Sequence, residues 1–72
     1  MKGNFIYKRL GSHIEECRHT AGMSQEDLSV ACEMDRTFIG RIENGRANPT
    51  FKTIVKLSKG LQVPLSDLFE GI

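Results

Sequence analysis

The sequence predicts an all-α fold of five short helices. Three observations carry that prediction. Apolar residues recur at steps of three and four along most of the chain, capping and terminating residues fall between those stretches, and no segment reads convincingly as a strand. The chain has 72 residues, which fits one domain spanning residues 1–72. A chain so small buries only about 60% of its unfolded surface, so a helical bundle or a dimer is the expected source of stability.

Taken in order, Ile6, Leu10, Ile14, Cys17 and Ala21 make one apolar helical stripe, with Asn4 as a cap for its start and Gly22 for its end. Gly11 inside that stripe costs about 1 kcal/mol relative to alanine, so either something approaches closely there or the loss is tolerated. Ser24 is a good N-cap, and Asp27 three residues on makes a weaker relative of the capping box. Leu28, Ala31 and Cys32 then face inward on a helix of about eight residues, too short to stand without tertiary packing. Asp35 caps a third helix, Ile39 and Ile42 are its inward pair, and Asn44-Gly45 ends it, since both residues tolerate the left-handed conformation. Pro49 confirms the break and Thr50 caps a fourth helix. Phe51, Ile54, Val55, Leu57 and Leu61 give that helix a broad apolar face, with Gly60 near its end. Val63-Pro64 is a turn, and Leu65, Leu68 and Phe69 supply a last short helix before Gly71.

The second and third helices are joined by roughly Glu33-Met34. So short a connection forces a steep crossing, the helix-turn-helix arrangement, here over about residues 24–44. It lets the second helix of the pair project into a groove while the first lies across the entrance.

Charge sharpens the reading. The net charge is +1, but it is unevenly spread. Residues 1–35 carry four basic and six acidic side chains, hence −2. Residues 36–59 carry Arg36, Arg41, Arg46, Lys52, Lys56 and Lys59 against Glu43 alone, hence +5. Residues 60–72 carry Asp67 and Glu70, hence −2. A basic middle fits a polyanionic partner docked on one face, although a solvated helical surface carries the same charges.

Other chemistry finds little support. The apolar runs are too short for a signal peptide or a membrane span, so an intracellular, cytoplasmic protein with no membrane partner is expected. Cys17 and Cys32 fit free thiols in a reducing compartment. His13 and Cys17 at i, i+4 supply two metal ligands at best, with His19 elsewhere on the turn, so no metal is expected. No nucleophile–base pair, paired-carboxylate motif or phosphate loop stands out. Neither enzymatic activity nor a cofactor is expected, and no small-molecule ligand is evident.

The pattern Leu10-Gly11, Ile14, Arg18, Gly22, Ser24-Gln25, Asp27-Leu28, Arg36-Thr37, Ile39, Ile42-Glu43, Gly45, Asn48-Pro49, Leu57, Leu61, Val63 and Leu65-Ser66-Asp67-Leu68-Phe69 resembles the phage-repressor-like helix-turn-helix family, also called the XRE family. The match covers about residues 9–69. The run Asp35-Arg36-Thr37-Phe38-Ile39 also looks like the controller proteins of restriction–modification systems. Two positions depart from the family pattern. Glu33 stands where the turn usually has glycine, and a non-glycine residue in a left-handed turn costs about 1–2 kcal/mol, so a slightly different turn is expected. Gly40 stands where the recognition helix often has serine, which removes one contact and opens room for closer approach to DNA.

The resemblance implies a compact, five-helix, lambda-repressor-like domain. It implies a sequence-specific regulator of transcription, prokaryotic or phage in style, bound as a homodimer to a palindromic double-stranded DNA operator and controlled by its own concentration. It places Arg36, Thr37, Gly40 and Arg41 on the groove-facing side of the recognition helix as base contacts. The spacing agrees, because Ile39 and Ile42 point the other way. Arginine can donate twice to guanine, and threonine can meet a thymine methyl. Ser24, Gln25, Asn44, Arg46 and Asn48 are the expected phosphate contacts, the first two at a helix N-terminus. For Arg36 a phosphate role stands beside the base role, and Phe38 is either half-buried or a rim contact. The surplus of apolar side chains over residues 50–70 suggests a dimer surface, with Leu65, Phe69 and Ile72 as candidates. The rival readings are an antitoxin-type module or a coactivator. The first needs a tail that wraps its partner, and the chain is expected to lack one because it ends soon after the fifth helix. The recognition-helix arginines argue against the second.

Overall fold

Capping chemistry sets the limits of the helices. The computed structural model describes the backbone of residues 3–72 and the side chains from Phe5 onward. Five helices appear among the described residues: α1 (Gly3–Thr20), α2 (Gln25–Cys32), α3 (Arg36–Glu43), α4 (Phe51–Leu61) and α5 (Leu65–Phe69). α1 starts at Gly3, so Asn4 sits in its first turn rather than ahead of it, and the side chain of Asn4 lies outside the described residues. Two hydrogen bonds end α1: the Gly22 N–H donates to His19 O and the Met23 N–H to Arg18 O. That pairing needs a left-handed residue, and Gly22 supplies it at φ +71°. Ser24 and Asp27 form a full capping box. The Asp27 N–H donates to Ser24 Oγ at 3.0 Å and the Ser24 N–H to Asp27 Oδ2 at 2.9 Å. Bound to that N–H, the Asp27 carboxyl is held below the usual carboxylate range. The cap's contribution is therefore complete above the ordinary carboxylate pKa and fades as pH falls through the lowered one. Thr50 caps α4 through its Oγ1, which accepts from the Thr53 N–H.

Several expectations need correction. Asp35 has the extended backbone of a cap but makes no capping hydrogen bond. Asn44 is not left-handed, with φ at −88°. Gly45 alone turns the chain, at φ +72°. Gly60 lies near the end of α4, as expected, and the helix runs one residue further. The left-handed residue there is Gln62, at φ 59°. The turn between α2 and α3 keeps its left-handed geometry even without glycine, because Glu33 adopts φ 54°, ψ 48°. The expected change of turn shape does not occur. The chain accepts the strain instead, and the Met34 N–H still closes back on Ser29 O at 2.9 Å.

Leu10, Ile14, Leu28, Cys32, Ile39, Ile42, Ile54, Leu57, Leu61 and Leu68 make the core. α1 packs on α3 and α5, and α2 packs between α3 and α4. The buried side of α1 is narrower than its apolar stripe. Ile6 and Ala21 are exposed and Cys17 is half-buried, while Gly11 and Arg18 lie inside. The cause is the approach of α3. A Cβ built on Gly11 would stand 2.2 Å from Ile42 O and 2.5 Å from Glu43 O, so α3 rests its last turn directly on α1. Gly60 does the same for α2 and α4, where a Cβ would meet Cys32 Sγ at 2.3 Å. That approach turns Cys32 inward and leaves Ala31, expected inward, on the surface. Phe51 is also on the surface, 64% exposed, so the apolar face of α4 is only partly covered.

These two special backbone positions predict shifts of opposite sign. Gly11→Ala would add about 1 kcal/mol of helix propensity on an open surface. Here it should destabilise, by roughly 2 kcal/mol or more, because two backbone carbonyls must move. Glu33→Gly should raise stability by about 1 kcal/mol through relief of the left-handed strain. Thermal melts of both variants, read by circular dichroism, check the signs.

Candidate nucleic-acid interface

Ile39 and Ile42 are fully buried, and this decides which way α3 faces. Arg36, Thr37 and Arg41 then emerge on the opposite side, all exposed. Gly40 lies among them, half-buried. The Gln25 side chain of α2 covers it from one flank, and a Cβ on Gly40 would sit 3.5 Å from Gln25 Oε1. That is an ordinary contact, so packing does not demand glycine there, and the surface at Gly40 is shared with Gln25 rather than empty.

The orientation of α3 is fixed by a polar cluster that the sequence reading did not single out. Arg18 grips Glu43 with two parallel hydrogen bonds, Nε to Oε2 at 2.7 Å and Nη2 to Oε1 at 3.1 Å, and both side chains are buried. The remaining nitrogen, Nη1, donates to Met23 O at 2.8 Å. Gln25 Nε2 donates to the same Glu43 carboxylate at 2.9 Å. Hydrogen bonding to the Glu43 carboxylate raises the guanidinium pKa of Arg18 further, more than burial lowers it. One pair thus joins α1, the turn after it, the start of α2 and the end of α3. Two signals could have found it: Arg18 falls four residues after Ile14 on the inward stripe of α1, and Glu43 follows Ile42 directly on α3.

The pair also changes the electrostatics. Glu43 is the only acid among residues 36–59, and it is buried and neutralised. The six basic side chains of that segment therefore face solvent with no opposing charge of their own, +6 rather than +5. Among the described residues no second ion pair forms. Arg41 leans along the end of α3, with Nη2 3.4 Å from Arg46 O. Asn44, Arg46 and Asn48 are exposed around the loop that follows, and Ser24 is exposed at the start of α2. Gln25 is half-buried and tied to Glu43, which leaves one amide hydrogen and its backbone N–H for a partner. Phe38 is half-buried against the core.

The pattern of the Helix-turn-helix family (HTH_3) matches residues 14–68 of this chain. The chain belongs to this family. Its XRE-type helix-turn-helix is α2 and α3, and the protein is a DNA-binding regulator of transcription. Over 70 residues the chain is 36% identical to the control protein C.MunI of a Mycoplasma species, covering 96% of this chain and 95% of that protein. Over 68 residues it is 37% identical to the control protein C.BamHI of Bacillus amyloliquefaciens, covering 93% and 84%. Among solved structures, the fold is similar to the restriction–modification controller protein C.AhdI from Aeromonas hydrophila. The TM-score is 0.85 and the identity 32%, over 88% of this chain and 96% of that one.

The remaining candidates lie apart from this face. Leu65 is half-buried and packs on the core, so less of it is available to a partner than expected. Phe69 and Ile72 are 37% and 49% exposed, and Ile72 lines a shallow groove with Phe5 and Ile6 of α1, which are exposed as well. Both cysteines are free thiols, Cys17 half-buried and Cys32 buried. Burial pushes both thiols up, and for Cys17 the carboxylates of Asp67 and Glu16 push the same way. His13, Cys17 and Asp67 border a cavity of about 400 Å³ between α1, the end of α4 and α5. Among the described residues, His13 Nδ1 is buried without a hydrogen-bond partner. No group of three or more metal-ligating side chains is placed to hold an ion among the described residues. No helix among them is long and apolar enough to cross a membrane.

Raised thiol pKa values favour the unreactive protonated form. Mass spectrometry of protein purified without reductant should therefore show two free thiols, and a chelator should leave DNA binding unchanged. A stoichiometric disulfide, or binding lost to the chelator, would contradict this description.

Proposed function

We propose that the protein is a homodimeric, sequence-specific regulator that occupies a palindromic operator, with residues 1–72 acting as one DNA-binding domain. The observation that carries the proposal is the orientation of α3, which buries Ile39 and Ile42 and turns Arg36, Thr37 and Arg41 outward in the basic segment. In this reading α3 enters the major groove. Arg41 donates to a guanine edge, Thr37 meets an adjacent base, and Arg36 sits at the N-terminal end of the helix, where base and phosphate are both in reach. Gly40 lets the helix backbone come close. Ser24, Gln25, Asn44, Arg46 and Asn48 hold the flanking phosphates. The dimer brings two such helices about 34 Å apart on one face of the DNA. A single helix reads only a few base pairs, too few for an operator among the competing sites of a genome. Phe69 and Ile72, with the inner part of Leu65, form the contact between subunits.

Within this reading the protein is a controller of a restriction–modification system. Near full-length similarity to C.MunI and C.BamHI, in both directions, supports that assignment. Control through its own concentration follows from the same analogy. The cell compartment is then the cytoplasm, where the operator lies.

Three experiments test the proposal. Arg41→Ala should weaken cognate binding by about 1–3 kcal/mol, the usual worth of a bidentate base contact, with scrambled DNA much less affected and the melting temperature nearly unchanged. Equal losses on both DNAs would move Arg41 to the phosphate set. Arg46→Ala should weaken both DNAs alike and reduce the log–log salt slope by roughly one, whereas an unchanged slope would take Arg46 off the backbone. For the dimer, sedimentation at micromolar concentration should give twice the monomer mass. Phe69→Asp, at a side chain outside the buried core, should give a folded monomer that binds a half-site weakly. A monomeric wild type on a non-repeated site would overturn the dimer.

A further inference from the structure

The loop after the recognition helix does not stand alone. It is seated on the second turn of α1. A Cβ built on Gly45 would lie 2.7 Å from Lys8 Cα, so the loop backbone touches the α1 backbone there. Beside that contact a groove of about 240 Å³ opens to solvent, lined by Tyr7, Gly45, Arg46, Ala47 and Asn48. Its side chains are a phenol, a guanidinium and a primary amide, all of them hydrogen-bond donors, and none is acidic. The nearest acid in sequence, Glu43, is buried and held by Arg18.

The side-chain donors of this groove are unspent. Among the described residues, the Tyr7 hydroxyl takes part in no hydrogen bond. It is not among the buried atoms left without a partner, so it meets solvent. The N–H groups of Gly45 and Arg46 are used to close α3, donating to Ile42 O and Arg41 O. Those of Ala47 and Asn48 have no acceptor among the described residues. Adjacent N–H groups without an acceptor, beside a cation and a hydroxyl, suit an anion. The ring of Tyr7 is half-buried, so the hydroxyl is presented on a short lever from a rigid helix rather than on a mobile stem.

We propose that Tyr7, Arg46 and Asn48 together form a subsite for one phosphate of the DNA backbone, with the Tyr7 hydroxyl donating from α1. The subsite rests on the reading of Arg46 and Asn48 as backbone contacts and adds α1 to the DNA-binding surface. Its function is registry. A phosphate gripped between α1 and the loop fixes the angle at which α3 enters the groove. The ligand class is a phosphodiester, and the contact carries no base information of its own.

Tyr7→Phe separates this role from the others. The variant keeps the ring and its packing, so its melting temperature should match the wild type. Both cognate and scrambled duplexes should bind about 3- to 10-fold more weakly, the usual net worth of one hydrogen bond. The salt slope should not change, because a neutral hydroxyl releases no counterion, whereas Arg46→Ala lowers the slope. A second readout places the phosphate. Cognate duplexes, each with one phosphate replaced by a neutral methylphosphonate, should include one position per half-site at which the wild type loses about 3- to 10-fold more affinity than Tyr7→Phe does, the remaining loss being the Arg46 contact that both proteins share. Unchanged affinity of Tyr7→Phe, or equal losses for both proteins at every methylphosphonate position, would overturn the subsite. If Arg46→Ala leaves the slope unchanged while Tyr7→Phe still weakens binding, the reading of Arg46 falls and the three-residue subsite with it, leaving a Tyr7 contact alone.

Discussion

The buried pair Arg18–Glu43 is the constraint on which the remaining geometry depends. Taking two charges out of water costs several kcal/mol per ion, and only good geometry with full hydrogen bonding offsets that. The cluster meets the requirement. The pairing is bidentate, the third guanidinium nitrogen is satisfied by Met23 O, and Gln25 adds a donor to the carboxylate. The bonds to Glu43 cross between elements 18 and 25 residues apart in sequence. Together they set the last turn of α3 against α1 and hold the first residue of α2 over Gly40. The exposed face of α3, proposed to read bases, is oriented from behind by a buried charge pair.

The same pair resolves a conflict in the recognition segment. α3 must end near Glu43, and a carboxylate facing outward there would oppose the phosphates that Asn44, Arg46 and Asn48 are proposed to meet. Turning Glu43 inward removes that charge from the basic face and uses it as structure. The close approach of α3 to α1 makes this possible. It needs Gly11, since any larger residue would hold the two backbones apart. Gly60 performs the equivalent service between α2 and α4. With helices of 5 to 18 residues, little stability comes from propensity, so a few tight backbone contacts and a capped turn carry much of it.

Much of this was legible in the sequence, for identifiable reasons. The spacing of Ile39 and Ile42 told which side of α3 is buried, and so where Arg36, Thr37 and Arg41 point. Ser24-x-x-Asp27 and Thr50 marked helix starts, because caps act through neighbours three residues away. Gly11 announced a close approach, though not its partner. Long-range contacts were less legible. Nothing local pairs Arg18 with Glu43, which are 25 residues apart. Apolar periodicity overestimated the buried width of α1 and of α4, because Ile6 and Phe51 follow the helical repeat but extend past the neighbouring helices. Gly60 was placed near the end of α4, where it lies, but its role as a packing gap was not legible, because that depends on α2. Glu33 and Gln62 took left-handed positions that local preference assigns to glycine. In both turns the backbone N–H groups still close back on the preceding helix.

The most direct test is a double-mutant cycle on the central pair. Arg18→Met, Glu43→Leu and the double variant are unfolded by urea in a fixed concentration of trimethylamine N-oxide, which keeps weakened variants folded enough to measure. Each single change leaves one buried charge unpaired and should cost about 3–5 kcal/mol, while the double variant should be more stable than either single variant. Losses that simply add would show that Arg18 and Glu43 act independently, and the pair would no longer explain how the recognition helix is held.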